Sequence, residues 1–180
     1  RAVYEGGKTA LYLASDWGYE AIVGLLLEAG ALPDIRSGYG DTALMAATIR
    51  NHGAVVETLL ERGADPNLAM ADSATALMAA ADRGFSDVAV ALLKGGADPN
   101  AFFADSTTAL AWAADRGNAV IARALLEAGA DTEVRSKDSA TSLIIAASRG
   151  HLEILQLLLN AGADPDAPMN ESFTPLMAAA

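Results

Sequence analysis

Glu5-Gly6-Gly7-Lys8-Thr9 is the stretch closest to phosphate chemistry. A phosphate-binding loop cradles its ligand in glycine N–H groups backed by a lysine. It requires a further glycine five residues before the second one. Ala2 holds that position, so a phosphate loop is not expected. The two histidines, His52 and His151, lie 99 residues apart (151 − 52) and match neither a metal pair nor a catalytic dyad. Cysteine is absent, which removes thiolate ligands, disulfides and a cysteine nucleophile. Many carboxylates recur in Gly-Ala-Asp turns, where they are solvated or turn-forming. No Ser–His–Asp or paired-carboxylate constellation is legible. Asn170-Glu171-Ser172 is a glycosylation acceptor by pattern, with meaning only in a secreted protein. No enzyme activity, cofactor or metal is expected.

The net charge of −11 excludes nucleic acid as the main partner, because phosphate neutralisation needs surplus Lys and Arg. It also disfavours anionic membrane surfaces. The best apolar run, residues 75–93, is interrupted by Asp82, Arg83 and Asp87, so no membrane insertion is expected. Residues 1–5 show no apolar run behind a basic start. An intracellular setting, cytoplasmic or organellar, is expected.

What remains is a repeat. Thr9, Thr42, Thr75, Thr108, Thr141 and Thr174 follow one another at intervals of 33 residues (42 − 9 and onward). Each begins a related hexapeptide: TALYLA, TALMAA, TALMAA, TALAWA, TSLIIA and TPLMAA. Thirteen residues beyond the first five Thr stand Ile22, Val55, Val88, Ile121 and Ile154. A Leu pair follows each, then a Gly-Ala pair from Gly30-Ala31 to Gly162-Ala163, with no gap or insertion.

One unit reads as an N-capping Thr, a short Ala-rich helix and a Gly or Asn turn. A second helix carries Ile/Val and Leu-Leu, and its Gly ends it. Pro33, Pro66, Pro99 and Pro165 then block continuation. Small inner helices approach closely while Leu and Ile fill the gap behind them. Stacked wedges of this kind form an all-α repeat solenoid, since no unit buries its apolar face alone.

The hexapeptides, Gly150-His151, the Leu pairs and Gly63-Ala64-Asp65-Pro66-Asn67 resemble ankyrin repeats over essentially the whole chain. The repeats run at about 5–37, 38–70, 71–103, 104–136 and 137–169, with a partial sixth at 170–180, in one domain spanning 1–180. The resemblance implies β-hairpin fingers at the links and a concave surface that binds proteins. It also places Asn67 and Asn100 where some members of the family are hydroxylated.

Two departures stand out. The family His is replaced by Tyr12, Met45, Met78, Ala111, Ile144 and Met177, so packing is expected to replace its hydrogen-bond network. Finger glycines Gly7 and Gly40 give way to Ser73, Ser106, Ser139 and Ser172, each preceded by an acid. Those turns are expected to be held by side-chain-to-backbone bonds instead of a glycine conformation.

The chain opens inside a finger and stops inside an inner helix. Solenoids need polar caps, so a segment of a longer protein, or a subunit whose ends are covered, is expected.

Equivalent positions become ladders when repeats stack. Trp17, Arg50, Arg83, Arg116 and Arg149 form one column at the end of the inner helices, with Trp112 nearby on its helix. Arg and Trp are enriched at binding hot spots. The fingers add Met70, Phe102 and Phe103, together with Pro168, Met169 and Phe173, beside the acidic tips Asp72, Asp105, Asp138 and Glu171. Adjacent phenylalanines cannot both enter the core easily, and exposed ones mark contacts. The expected function is a non-enzymatic protein–protein interaction module that binds a partner on its concave face and finger tips. The alternatives are a structural subunit of a large assembly, or a regulatory segment of a larger enzyme or channel.

Overall fold

In a computed structural model, residues 5–70, 73–103 and 105–168 are described. Asp72, Met169, Glu171, Phe173 and the partial sixth repeat lie outside them. The described residues hold ten α-helices, an inner and an outer one for each full repeat. The inner helices are α1 (Ala10–Asp16), α3 (Ala43–Ile49), α5 (Ala76–Arg83), α7 (Ala109–Arg116) and α9 (Ser142–Arg149). The outer helices are α2 (Glu20–Glu28), α4 (Gly53–Glu61), α6 (Ser86–Lys94), α8 (Ala119–Glu127) and α10 (Leu152–Asn160).

Every inner helix starts where the Thr pattern places it. The hydroxyls of Thr9, Thr42, Thr75, Thr108 and Thr141 each accept the backbone N–H three residues on, at 3.1–3.4 Å. Each cap satisfies one of the orphan donors of a helix start. The inner helices end on left-handed residues, Gly18, Asn51, Gly84, Gly117 and Gly150. The chain reverses there and launches the outer helix.

Two compact groupings result. Residues Arg1–Ala80 with Asp87–Asp98 form one unit, and Ala81–Ser86 with Pro99–Ala180 form the other. In the first, α1 packs on α2 and α3, and α2 and α3 both pack on α4. Gly95, just past α6, faces the Leu60 side chain so closely that an added Cβ would lie 2.8 Å from it. In the second unit, α7 packs on α8 and α9, and α10 packs on both α8 and α9.

The core follows the repeat columns. Leu11, Leu44, Leu77, Leu110 and Leu143 of the inner helices are buried, as are Ala43, Ala76 and Ala109 beside three of them. On the outer helices Val55, Val88, Ile121 and Ile154 are sealed, whereas Ile22 is 48% exposed. Among the described residues no earlier outer helix covers it. Of the Leu pairs, the first member is inside (Leu59, Leu92, Leu125, Leu158) and the second only half-buried or exposed. The first repeat departs from this, with Val23 taking the deepest place.

The finger hairpins are reduced to tight turns. In four fingers a backbone N–H reaches a carbonyl four residues on: Ser37 to Asp41, Met70 to Ala74, Phe103 to Thr107 and Ser136 to Ala140. An isolated antiparallel bridge joins Phe102 and Thr108 among the described residues. The serine expectation needs correcting. Ser73, Ser106 and Ser139 sit at φ 69, 66 and 61°, the same left-handed region as Gly40 at 85°. Four-residue closure demands that conformation whatever residue is present. Among the described residues the acid supplements it at Asp105, whose Oδ1 accepts the Thr107 N–H at 3.0 Å.

The replaced family His also splits two ways. Met45, Met78, Ala111 and Ile144 are packed in the interior, as expected. Tyr12 instead keeps a polar link, its hydroxyl donating to Asp41 Oδ2 of the next finger at 2.5 Å. The other Asp41 oxygen accepts from Ser37 Oγ. Burial, and then the Asp41 carboxylate, push the Tyr12 phenol well above its ordinary value.

Candidate functional site

The ends of the inner helices present the charged column. Three of the four Arg reach back 34 residues to an Asp at the end of the preceding inner helix. Arg50 Nε meets Asp16 Oδ1 at 3.0 Å, and Arg116 Nη2 meets Asp82 Oδ1 at 2.6 Å. Arg149 donates to Asp115 Oδ1 from Nε at 2.8 Å and from Nη2 at 2.6 Å. The offset is one repeat plus one residue, because the Asp immediately precedes the column position. Arg83 breaks the series. The residue 34 before it is Ile49, and Arg83 forms no ion pair among the described residues. Hydrogen bonding and charge from Asp16 raise the Arg50 pKa, and Asp82 does the same for Arg116. Three of the four guanidiniums are therefore neutralised within the protein.

The aromatics divide similarly. Trp17 is 66% exposed at the end of α1. Trp112 is half-buried, with the Arg116 guanidinium 5.5 Å from its ring centroid. Arg116 thus covers the indole and binds Asp82 at once. Of the paired phenylalanines, Phe102 is 62% exposed and Phe103 half-buried. Met70 is half-buried where its finger closes. Asp105 and Asp138 are exposed. The Thr107 hydroxyl and N–H hold the Asp105 carboxyl below its usual range, and Lys137 adds to this.

Trp112, Asp138 and Arg149 converge on one open groove of about 500 Å³ between α7, α9 and the finger that joins their repeats. Ala111, Ile144 and Ile145 supply apolar wall, and Thr107, Ser136 and Ser148 supply polar wall. Ile145 and Ser136 were not singled out from sequence. Their register would have found them, since residues four beyond a repeat Thr and three before a finger Ser recur at the same height.

Other polar residues clamp repeat to repeat. Asn67 donates from Nδ2 to the Gly96 carbonyl at 3.0 Å and accepts the Asp98 N–H at 2.7 Å. Asn100 does the same with Gly129 at 3.1 Å and Asp131 at 2.7 Å. Asp34 and Glu133, in the same column, accept the N–H groups of Asp65 and Asp164. Arg36 ties the carbonyls of Gly40 and Ala69, and Arg135 those of Ser139 and Pro168. His52 and His151 lie over Gly18 and Gly117, each with Nε2 near an Asp carbonyl, Asp16 at 3.2 Å and Asp115 at 3.4 Å. Lys8 lies 4.9 Å from the Tyr12 ring centroid. Among the described residues no group of His, Cys, Asp and Glu could hold a metal, and no helix is long and apolar enough to cross a membrane.

Capped helix pairs, recurring left-handed turns and finger links define a helix–turn–helix repeat protein. Family models described as ankyrin repeats (3 copies) match residues 2–70 and 69–136, and one described as ankyrin repeats (many copies) matches 125–179. The chain belongs to the ankyrin-repeat family. No curated protein matches it. Ankyrin repeats are generally protein–protein interaction modules and typically non-enzymatic.

Proposed function

We propose that this chain holds a partner protein on the face formed by its inner-helix ends and fingers. The observation that carries this reading is the open groove lined by Trp112, Asp138 and Arg149. It joins an aromatic floor to polar walls, the mixture that anchors a protein side chain and fixes its orientation. Exposed Phe102 on the preceding finger extends the apolar anchors. Arg83 adds a guanidinium that forms no ion pair among the described residues and is placed to pair across an interface. Arg116 and Arg149 hold the face in shape, and bind only through what their ion pairs leave exposed.

The test is to capture a partner with the chain, purify it and titrate it by calorimetry. Arg83→Glu combined with Arg116→Glu is expected to weaken binding by about tenfold or more, with helicity by circular dichroism unchanged. Phe102→Ala is expected to act in the same direction. Unchanged affinity in both variants refutes the assignment to this face.

A further inference from the structure

The groove of the second unit carries a charge signature as well as a shape. Its cation is already used: Arg149 gives Nε and Nη2 to Asp115, which also lines the groove. Its remaining carboxylate is not: Asp138 is exposed and makes no hydrogen bond or ion pair among the described residues. The cation next to Asp138 in sequence is drawn elsewhere. The Lys137 backbone N–H is bound to the Asp105 carbonyl at 2.9 Å, and its charge acts on the Asp105 carboxyl. The hydroxyls of Thr107, Ser136 and Ser148 add polarity without charge. The groove therefore presents an apolar floor, an internally cancelled ion pair and one unmet negative charge. The whole chain, at −11, adds a long-range field of the same sign.

We propose that this groove takes a basic segment of a partner protein, with an apolar side chain seated on Trp112 and Ile145 and a neighbouring Lys or Arg reaching Asp138. This rests on the protein-binding reading above and adds the chemistry of the occupant. An apolar side chain removes the indole and aliphatic surface from water, which supplies affinity. The cation meets a carboxylate that has no internal partner to surrender, so pairing costs no existing bond. An acidic segment would have to displace Asp115 from Arg149, or sit against Asp138 unpaired, and either is unfavourable.

The experiment pans a phage-displayed random dodecapeptide library against the full chain, then titrates synthetic winners. Peptides with Lys or Arg beside Leu, Ile, Phe or Met are expected to be enriched. Asp138→Lys is expected to weaken them about tenfold or more. The charge-matched Glu127→Lys, exposed on outer helix α8, is expected to change binding less than about twofold. Trp112→Ala, checked for retained helicity, is expected to abolish it. Basic peptides that lose equally with Glu127→Lys and Asp138→Lys would mean general attraction to an acidic chain, and overturn the proposal. Acidic or uncharged winners that still depend on Trp112 overturn the basic occupant while leaving the binding face intact. Winners indifferent to Asp138, Trp112, Arg83 and Phe102 alike overturn both.

Discussion

Arg116 donates to the Asp82 carboxylate at 2.6 Å across the boundary between consecutive repeats. The same guanidinium covers the ring of Trp112, one helical turn earlier. Both groups of the ion pair remain largely exposed, so the bond is a surface interaction that salt weakens. A double-mutant cycle with Asp82→Ala and Arg116→Ala is expected to show favourable coupling at about 50 mM NaCl. That coupling should fade towards zero at about 1 M, where the Debye length is only ~3 Å. Coupling that is absent at low salt contradicts the pairing.

Ser106 occupies a left-handed turn that its Cβ makes costly. Replacing it with glycine removes that penalty, of the order of 1 kcal/mol, while adding chain entropy to the unfolded state. Ser106→Gly is expected to raise the unfolding free energy by a net few tenths to about 1 kcal/mol, read as a higher denaturant midpoint at constant m value. Gly40→Ser, in the first unit, is expected to lower it by a similar amount. A drop on Ser106→Gly would show that the serine hydroxyl outweighs the backbone strain.

Gly117 faces His151 so closely that an added Cβ would meet the ring at 2.7 Å, and its φ is 74°. Gly117→Ala therefore incurs both backbone strain and a clash. A loss of about 2–3 kcal/mol in thermal or chemical unfolding is expected. In a His151→Ala background the steric part disappears and about 1 kcal/mol should remain. Equal losses in the two backgrounds would remove the ring from the explanation. Gly18 and His52 repeat the arrangement in the first unit, also at 2.7 Å.

Tyr12 gives a pH dependence of definite sign. Its folded-state pKa lies above the ordinary phenol value of about 10, because burial and the Asp41 carboxylate oppose ionisation. The folded form thus holds its proton when the unfolded form releases it. The associated stability is complete below about pH 10 and is lost as pH climbs from there through the folded value. Tyr12→Phe should flatten this alkaline decline in a series of unfolding curves. At neutral pH it should cost about 0.5–1.5 kcal/mol for the lost hydrogen bond. An unchanged alkaline slope would separate Tyr12 from Asp41.

The comparison of sequence with structure turns on particular columns. Thr caps, Gly and Asn turns and buried inner-helix Leu residues were legible, because each depends on a local requirement that recurs at a fixed spacing. The Arg column was legible as a column, but its pairing was not. The partner of Arg116 is Asp82, 34 residues earlier, and that offset follows from how one helix end lies beside the next. The exception at Arg83 then becomes readable, because Ile49 stands where the series would place Asp. The two Phe residues looked alike in sequence, and the short hairpin alone separated exposed Phe102 from half-buried Phe103.

By itself, the sequence determined the family, the repeat register, the starts of the inner helices and the surplus of negative charge. These rest on side-chain chemistry within one unit and on a period without insertions. Tertiary structure decided which member of the Leu pairs is buried in repeats two to five and that Ser106 shares the left-handed conformation of Gly40. It also decided that Asp138 has no partner among the described residues, in a groove where Arg149 has one. Those outcomes depend on packing distances between repeats and on competition among neighbouring charges, which no single repeat contains.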